Sequence, residues 1–252
     1  MISAIPHKVF RIAFFLLAIS YTACTSHTDK TSPQILLFTG SGTSPNDVAA
    51  IATILKSNHL YYSTINSSQL NGMNEAQIVR YHLLIIPGGN FIDMGNSLTP
   101  GSMANIHNAV RHGLNYLGIC AGGFLAGNFG GHYNSLNLTS GIGFGFYAAE
   151  NDGISKAAVA IASPGAPTLD QYWEDGPQFT GWGSVAGKYP NGTPATVQGT
   201  FGNGWVVLTG IHAEAPEDWR QGMAFKTPAG VDNAYAATLI KAALNRVSLP
   251  HY

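Results

Sequence analysis

Apolar residues in this chain come in short unbroken runs that end at glycine or proline. Between those runs they recur at every third or fourth position. Gln34-Ile-Leu-Leu-Phe-Thr39 is bounded by Pro33 and Gly40, and Leu83-Leu-Ile-Ile86 stops at Pro87-Gly-Gly-Asn90. Continuous runs of this length predict strands buried on both faces, as in a parallel sheet. Residues 205–209 read the same way, and residues 61–65 and 114–119 are further expected strands. Residues 47–58 carry Val48, Ile51, Ala52, Ile54 and Leu55 at helical spacing, with Asn46 as the expected cap. Residues 74–80, 102–112, 122–128 and 231–247 are the other expected helices. This alternation predicts an α/β fold, a mostly parallel sheet with helices on both faces. Residues 144–150, 157–162, 184–188 and 195–201 are short strand-like segments separated by Gly, Pro and Asn. They predict an antiparallel extension of that sheet, not a second domain.

The pattern breaks at the start of the chain. His7, Lys8 and Arg11 precede an apolar stretch at 12–19, and Tyr21-Thr-Ala-Cys24 has the small residues of a cleavage site. Residues 1–23 therefore read as an export signal, 24–33 as a linker and 34–247 as one domain. The apolar stretch is shorter than the roughly 20 residues that span a bilayer. Cys24 resembles the lipid-modified cysteine of bacterial lipoproteins, although Tyr21 stands where an aliphatic residue is usual. The expected location is the periplasm or cell envelope, with Cys24 a candidate lipid anchor and plain cleavage near Ala23 the competing outcome.

Composition narrows the partners. Of 252 residues only 10% are charged, and the net charge is −1, with no Lys/Arg cluster. That excludes a nucleic-acid surface. An apolar content of 45% with 30 glycines describes a folded domain rich in tight turns.

Of the two cysteines, only Cys120 lies in the body of the chain, within Leu117-Gly-Ile-Cys-Ala-Gly-Gly-Phe124. An apolar run that ends at a cysteine, with Gly118 and Gly122 around it and helix-compatible sequence after it, has the form of a nucleophile elbow. A helix N-terminus at that point favours the thiolate, the reactive form of a cysteine. A disulfide to Cys24 is not expected, since the two cysteines lie in a leader and a core strand.

Other strand ends carry compatible chemistry. In open parallel sheets, ligands bind outside the carboxyl ends of strands, which would bring Gly88-Gly89, Cys120 and His212-Ala-Glu214 together. Residues two apart on extended chain point the same way, so Glu214 can orient His212 while the other ring nitrogen takes the Cys120 proton. The N–H groups of Gly88, Gly89 and Ala121 are the candidate oxyanion hole. Asn90, Trp173, Glu174 and Asp175, together with Trp182 and Trp219, are candidates for a substrate pocket. No metal or cofactor is expected.

With these segments in view, the chain resembles the class I glutamine-amidotransferase-like superfamily, and within it the biotin-protein ligase N-terminal domain branch. The residues that carry the resemblance are Leu84-Ile-Ile-Pro-Gly-Gly-Asn90, Tyr116-Leu-Gly-Ile-Cys-Ala-Gly-Gly-Phe124, Tyr172-Trp-Glu-Asp-Gly-Pro-Gln178, Gly199-Thr-Phe-Gly-Asn-Gly204 and Gly210-Ile-His-Ala-Glu214. The resemblance implies a flavodoxin-like sheet and a Cys120, His212, Glu214 triad. Ala213 departs from the proline common between His and Glu in that superfamily, without changing the spacing. Biotin ligation is not expected, because a ligase domain would have to follow residue 245 and the sequence stops at Tyr252. The expected activity is hydrolysis of an amide or related acyl bond in a small-molecule or peptide-like substrate, with no synthase domain as partner.

Two other readings compete. One is a non-catalytic binding module that keeps the elbow as a pocket. The other is an α/β-hydrolase with a cysteine nucleophile, in which Asp170 or Asp175 would reach His212.

Overall fold

The structure, a computed structural model, describes Met1, residues 34–148 and residues 155–252. Apart from Met1, the expected leader, Cys24 and the linker lie outside the described residues, as do residues 149 and 150 of one expected strand. Residues Thr31–Tyr252 form one compact unit, and every described strand and helix lies within it.

The first half alternates strand and helix. In order come β1 (Ile35–Phe38), α1 (Pro45–Ser57), β2 (Tyr62–Ile65), α2 (Ser67–Asn71) and α3 (Glu75–Ile78). They are followed by β3 (Leu83–Ile86), α4 (Phe91–Ser97), α5 (Pro100–Arg111), β4 (Asn115–Ile119) and α6 (Ala121–Ala126). The second half is mainly strand: β5 (Gly145–Phe146), β6 (Lys156–Ile161), β7 (Leu169–Glu174), β8 (Pro177–Gln178), β9 (Ser184–Lys188), β10 (Pro194–Phe201) and β11 (Gly204–Thr209), closed by α7 (Ala229–Asn245).

Seven strands form the main sheet in the order β2-β1-β3-β4-β11-β10-β9. The first five run parallel, and β10 and β9 extend the sheet antiparallel beyond β11. Alternation along the strands builds a core on each face. Ile35, Leu37, Leu83, Ile85 and Leu117 pack with α1 and α7, while Leu36, Phe38, Leu84, Ile86 and Tyr116 pack with α5 and α6. These strands are buried on both sides, which is why they read as unbroken apolar runs.

The antiparallel extension is smaller than expected. Segments 184–188 and 195–201 join the main sheet, but β6 pairs with β7 and β5 with β8 as separate ribbons. Isolated bridges tie the β6–β7 hairpin back to the sheet, one of them between Tyr172 and His212. Helix α1 is capped by Ser44 and not by Asn46: the Ser44 hydroxyl accepts from the Asp47 N–H, and Pro45 opens the first turn. No helix among the described residues is long and apolar enough to cross a membrane.

Candidate active site

Cys120 stands between β4 and α6 with φ 48° and ψ −107°, a backbone conformation that costs a non-glycine residue about 1–3 kcal/mol. Hydrogen bonds from both neighbouring strand ends hold it there. Its N–H donates to the Thr209 carbonyl at 2.8 Å, and the Gly122 N–H donates to the Pro87 carbonyl at 3.2 Å. The Tyr116 hydroxyl donates to the Gly122 carbonyl at 2.7 Å. The expected elbow is therefore present, but the strained torsion falls on the cysteine itself. Gly122 is needed for close approach, since a Cβ there would run into the Ile86 carbonyl. Cys120 is 6% exposed, and its thiol donates to the Glu174 backbone carbonyl at 3.6 Å.

Beyond β11 the chain places His212 and Glu214 as their spacing suggested, with His212 Nδ1 at 2.9 Å from Glu214 Oε1. The antiparallel bridge to β7, in which the His212 N–H donates to the Tyr172 carbonyl at 2.8 Å, fixes the backbone at that point. A residue that sequence reasoning missed meets the same nitrogen. Asp47 Oδ1 lies 2.8 Å from His212 Nδ1, and both side chains are nearly inaccessible to solvent. Asp47 comes from the first turn of α1, after the loop beyond β1. That loop is stitched to the β3 loop by Ser44 N–H to Gly88 carbonyl at 3.0 Å and Asn90 N–H to Gly42 carbonyl at 2.8 Å. The signal that could have found it is Ser44-x-x-Asp47, a helix-capping pattern placed directly after a parallel strand.

One Nδ1–H donates fully to one acceptor, so two carboxylates at this nitrogen compete. Burial alone would raise the Asp47 carboxyl, but the charge of the neighbouring His212 ring outweighs it and holds it below its usual range. The positive end of α1 acts in the same direction. Glu214 goes the other way: burial raises it, the neighbouring Asp47 charge adds to that, and His212 only partly offsets the rise. Burial disfavours charge on His212 as well, yet Asp47, Cys120 and Glu214 together hold it well above the usual histidine range. The surroundings thus favour an imidazolium beside an ionised Asp47, and of the two carboxyls Glu214 is the one that gives up its proton less readily. The same three side chains have ligand atoms within 4.8 Å of one another, a span that a metal ion could also bridge.

Cys120 and His212 both open on one cleft of about 510 Å³, together with Asp47, Gly89 and Ala121. The Gly89 and Ala121 N–H groups have no acceptor among the described residues. Gly89 has φ +138°, a value that suits glycine. Gly88 is placed differently from its neighbour and is not part of the cleft wall. A Cβ on it would stand 2.5 Å from Asp47 Oδ1 and 2.6 Å from His212 Cε1, so a bare backbone there lets Asp47 reach the ring.

Of the expected pocket residues, Asn90, Glu174 and Asp175 line the cleft, and Asn90 also caps α4 through its Oδ1. Trp173 does not. It is 3% exposed, donates its indole N–H to the Gly176 carbonyl at 3.3 Å and packs edge-on to Tyr147. Alternation along β7 turns Tyr172 and Glu174 one way and Trp173 the other. Trp182 packs against the core on the α5 and α6 face, over Gly199. Trp219 lies edge-on to His212 and Tyr172. Neither Asp170 nor Asp175 pairs with His212: Asp170 accepts from the Lys226 N–H and Asp175 from the Ser155 N–H.

Part of the chain is similar to a known family. Residues 33–141 match the family described as biotin-protein ligase, N terminal. This segment is similar to a biotin-protein ligase N-terminal domain. The match takes in Asp47, Gly88, Gly89 and Cys120 and stops before His212 and Glu214. No curated protein matches the chain in sequence. Among solved structures, PurLQS from Thermotoga maritima aligns with a TM-score of 0.58 at 16% identity, covering 86% of this chain and 99% of that one. A protein from Thermoplasma acidophilum, assigned as a GMP synthase subunit, aligns at 0.54 with 12% identity, covering 85% and 96%. The chain thus has the glutamine-amidotransferase-like fold, in its flavodoxin-like α/β form.

Proposed function

We propose that the chain is a thiol hydrolase that cleaves an amide or related acyl bond. The observation that carries this reading is the strained, hydrogen-bonded Cys120 sharing one cleft with a buried imidazole that two carboxylates hold. In this reading His212 and Cys120 work as an imidazolium–thiolate pair, and the sulfur attacks the substrate carbonyl. The S–C bond forms as the C=O π pair moves onto oxygen, and the Gly89 and Ala121 N–H groups receive that oxyanion. A donor in such a position is commonly worth about 3–4 kcal/mol. His212 then gives its proton to the leaving nitrogen or oxygen as the C–N or C–O bond breaks, which leaves a thioester on Cys120. Water, deprotonated by His212, adds to the thioester carbonyl, and the C–S bond breaks with its electron pair on sulfur, which releases the acid and restores the imidazolium–thiolate pair.

Asp47 enters this scheme as the ionised partner of His212, and Glu214 as a second carboxyl that keeps the ring oriented. A cysteine kept only for packing would not need two buried carboxylates on its neighbouring imidazole. Each is costly to bury unless the pair or its proton is used.

The test is an activated acyl ester. With p-nitrophenyl acetate, the protein should release a burst of nitrophenol and gain the mass of one acetyl group on Cys120, and Cys120→Ala should show neither. If the wild type gives no burst and no adduct, the chain is a binding module and the hydrolase reading is wrong.

A further inference from the structure

The walls of the Cys120 cleft are chemically unlike each other. One is aromatic. Phe124, one helical turn after the nucleophile, stacks with Phe91 at 4.9 Å and meets Phe146 at 4.7 Å. Phe146 is 45% exposed at the lip, so the apolar strip runs from beside the sulfur out to solvent. The other wall is acidic. Glu174 ends β7 and Asp175 follows it, both line the cleft, and the Glu174 backbone carbonyl accepts the Cys120 thiol, which holds this segment beside the nucleophile. The Glu174 carboxylate is held by the Tyr172 hydroxyl at 2.5 Å, and Asp175 by the Ser155 N–H at 3.0 Å.

Among the described residues that line the cleft there is no Lys or Arg, and the one cationic group, His212, is already paired with Asp47. Lys156 faces Glu174 across the β6–β7 ladder, but it makes no ion pair with it and does not line the cleft. An anionic ligand would meet uncompensated carboxylates here. A cation on an apolar body would meet two carboxylates and aromatic faces, both of which attract it.

We infer that the cleft takes acyl compounds in which an ammonium or guanidinium group sits beside an apolar or aromatic body. This rests on Cys120 being the nucleophile. Glu174 and Asp175 select for the charge, and Phe91, Phe124 and Phe146 hold the apolar part.

Three chloroacetamides that differ only in a ring substituent test it: N-benzyl, N-(4-trimethylammoniobenzyl) and N-(4-carboxybenzyl). The rate at which each alkylates Cys120 is read by intact mass in low salt, relative to its rate with glutathione. The cationic probe should react about tenfold or more faster than the anionic one, with the neutral probe between. In Glu174→Gln/Asp175→Asn, which keeps the Tyr172 and Ser155 hydrogen bonds, the ratio should fall toward one. Equal rates in the wild type, or a faster anionic probe, overturn the charge preference and leave the nucleophile reading standing. Failure of all three probes to label Cys120 overturns both.

Discussion

His212 Nδ1 has one proton and two acceptors, Asp47 at 2.8 Å and Glu214 at 2.9 Å. The balance between them is set by surroundings. Asp47 sits in the first turn of a helix with a serine hydroxyl beside it, while Glu214 is fully buried against the same ring and Asp47. Asp47 therefore carries the charge, and its link to His212 has a definite pH window. Its contribution to stability is present above the ordinary carboxyl value near 3.8 and is lost as pH falls through the lowered one. The contribution of His212 is complete below its ordinary value near 6.5 and is lost as pH rises through the raised one. Asp47→Asn should lower the thermal midpoint by about 5–10 °C between those limits. Calorimetry should find the gap with wild type narrower at pH 3 and again at strongly alkaline pH. A gap constant across that range would mean the ion pair does not form. Glu214 was legible because it lies two residues from His212 on extended chain. Asp47 was not, because only the folding of the β1 and β3 loops against each other brings it to the ring.

At the scale of elements, the elbow depends on how closely α6 approaches β3. The glycine after Cys120 serves contact more than torsion, since a methyl group at Gly122 would meet the Ile86 carbonyl, which is backbone and cannot turn aside. Gly122→Ala should destabilise the fold by about 1–3 kcal/mol in urea unfolding. It should also slow Cys120 alkylation, because relief of the clash moves the cysteine. Unchanged reactivity in that variant would show that the strained turn does not position the sulfur. The buried strands and the long helices α1, α5 and α7 were readable because their apolar spacing is unambiguous. Helix α4 was not: Gly95, Asn96 and Ser97 are poor helix formers, and its start is set by Asn90 accepting the Ile92 and Asp93 N–H groups. Strand β7 mixes Leu, Asp, Gln, Tyr, Trp and Glu, and its side-chain directions emerge only from pairing with β6. That is why Trp173 looked like a pocket residue and is instead core.

Over the whole molecule, four strand ends converge on one cleft: β1 through Asp47, β3 through Gly89, β4 through Cys120 and β11 through His212, with Glu214 behind the ring. In the sheet order β2-β1-β3-β4-β11-β10-β9 the four contributing strands are consecutive neighbours, so the carboxyl edge of the sheet gathers residues that are far apart in the chain. The segment that matches the biotin-protein ligase N-terminal family, residues 33–141, supplies the first three, and His212 and Glu214 come from the chain beyond it. The fold and the strand-end rule were enough to expect Cys120, His212 and Glu214 near one another, and the structure has them so. Tertiary structure supplied the second acid and the contrast between the aromatic and acidic walls. The central claim is that Cys120 is an activated nucleophile because His212 is held beside it as an imidazolium. Its most direct measurement is the second-order rate of alkylation by iodoacetamide at pH 6. The wild-type Cys120 should react far faster than glutathione, and His212→Ala should bring it back to the glutathione rate, a loss of about 100-fold or more. A wild-type rate equal to that of glutathione, or one that survives loss of His212, would contradict the account.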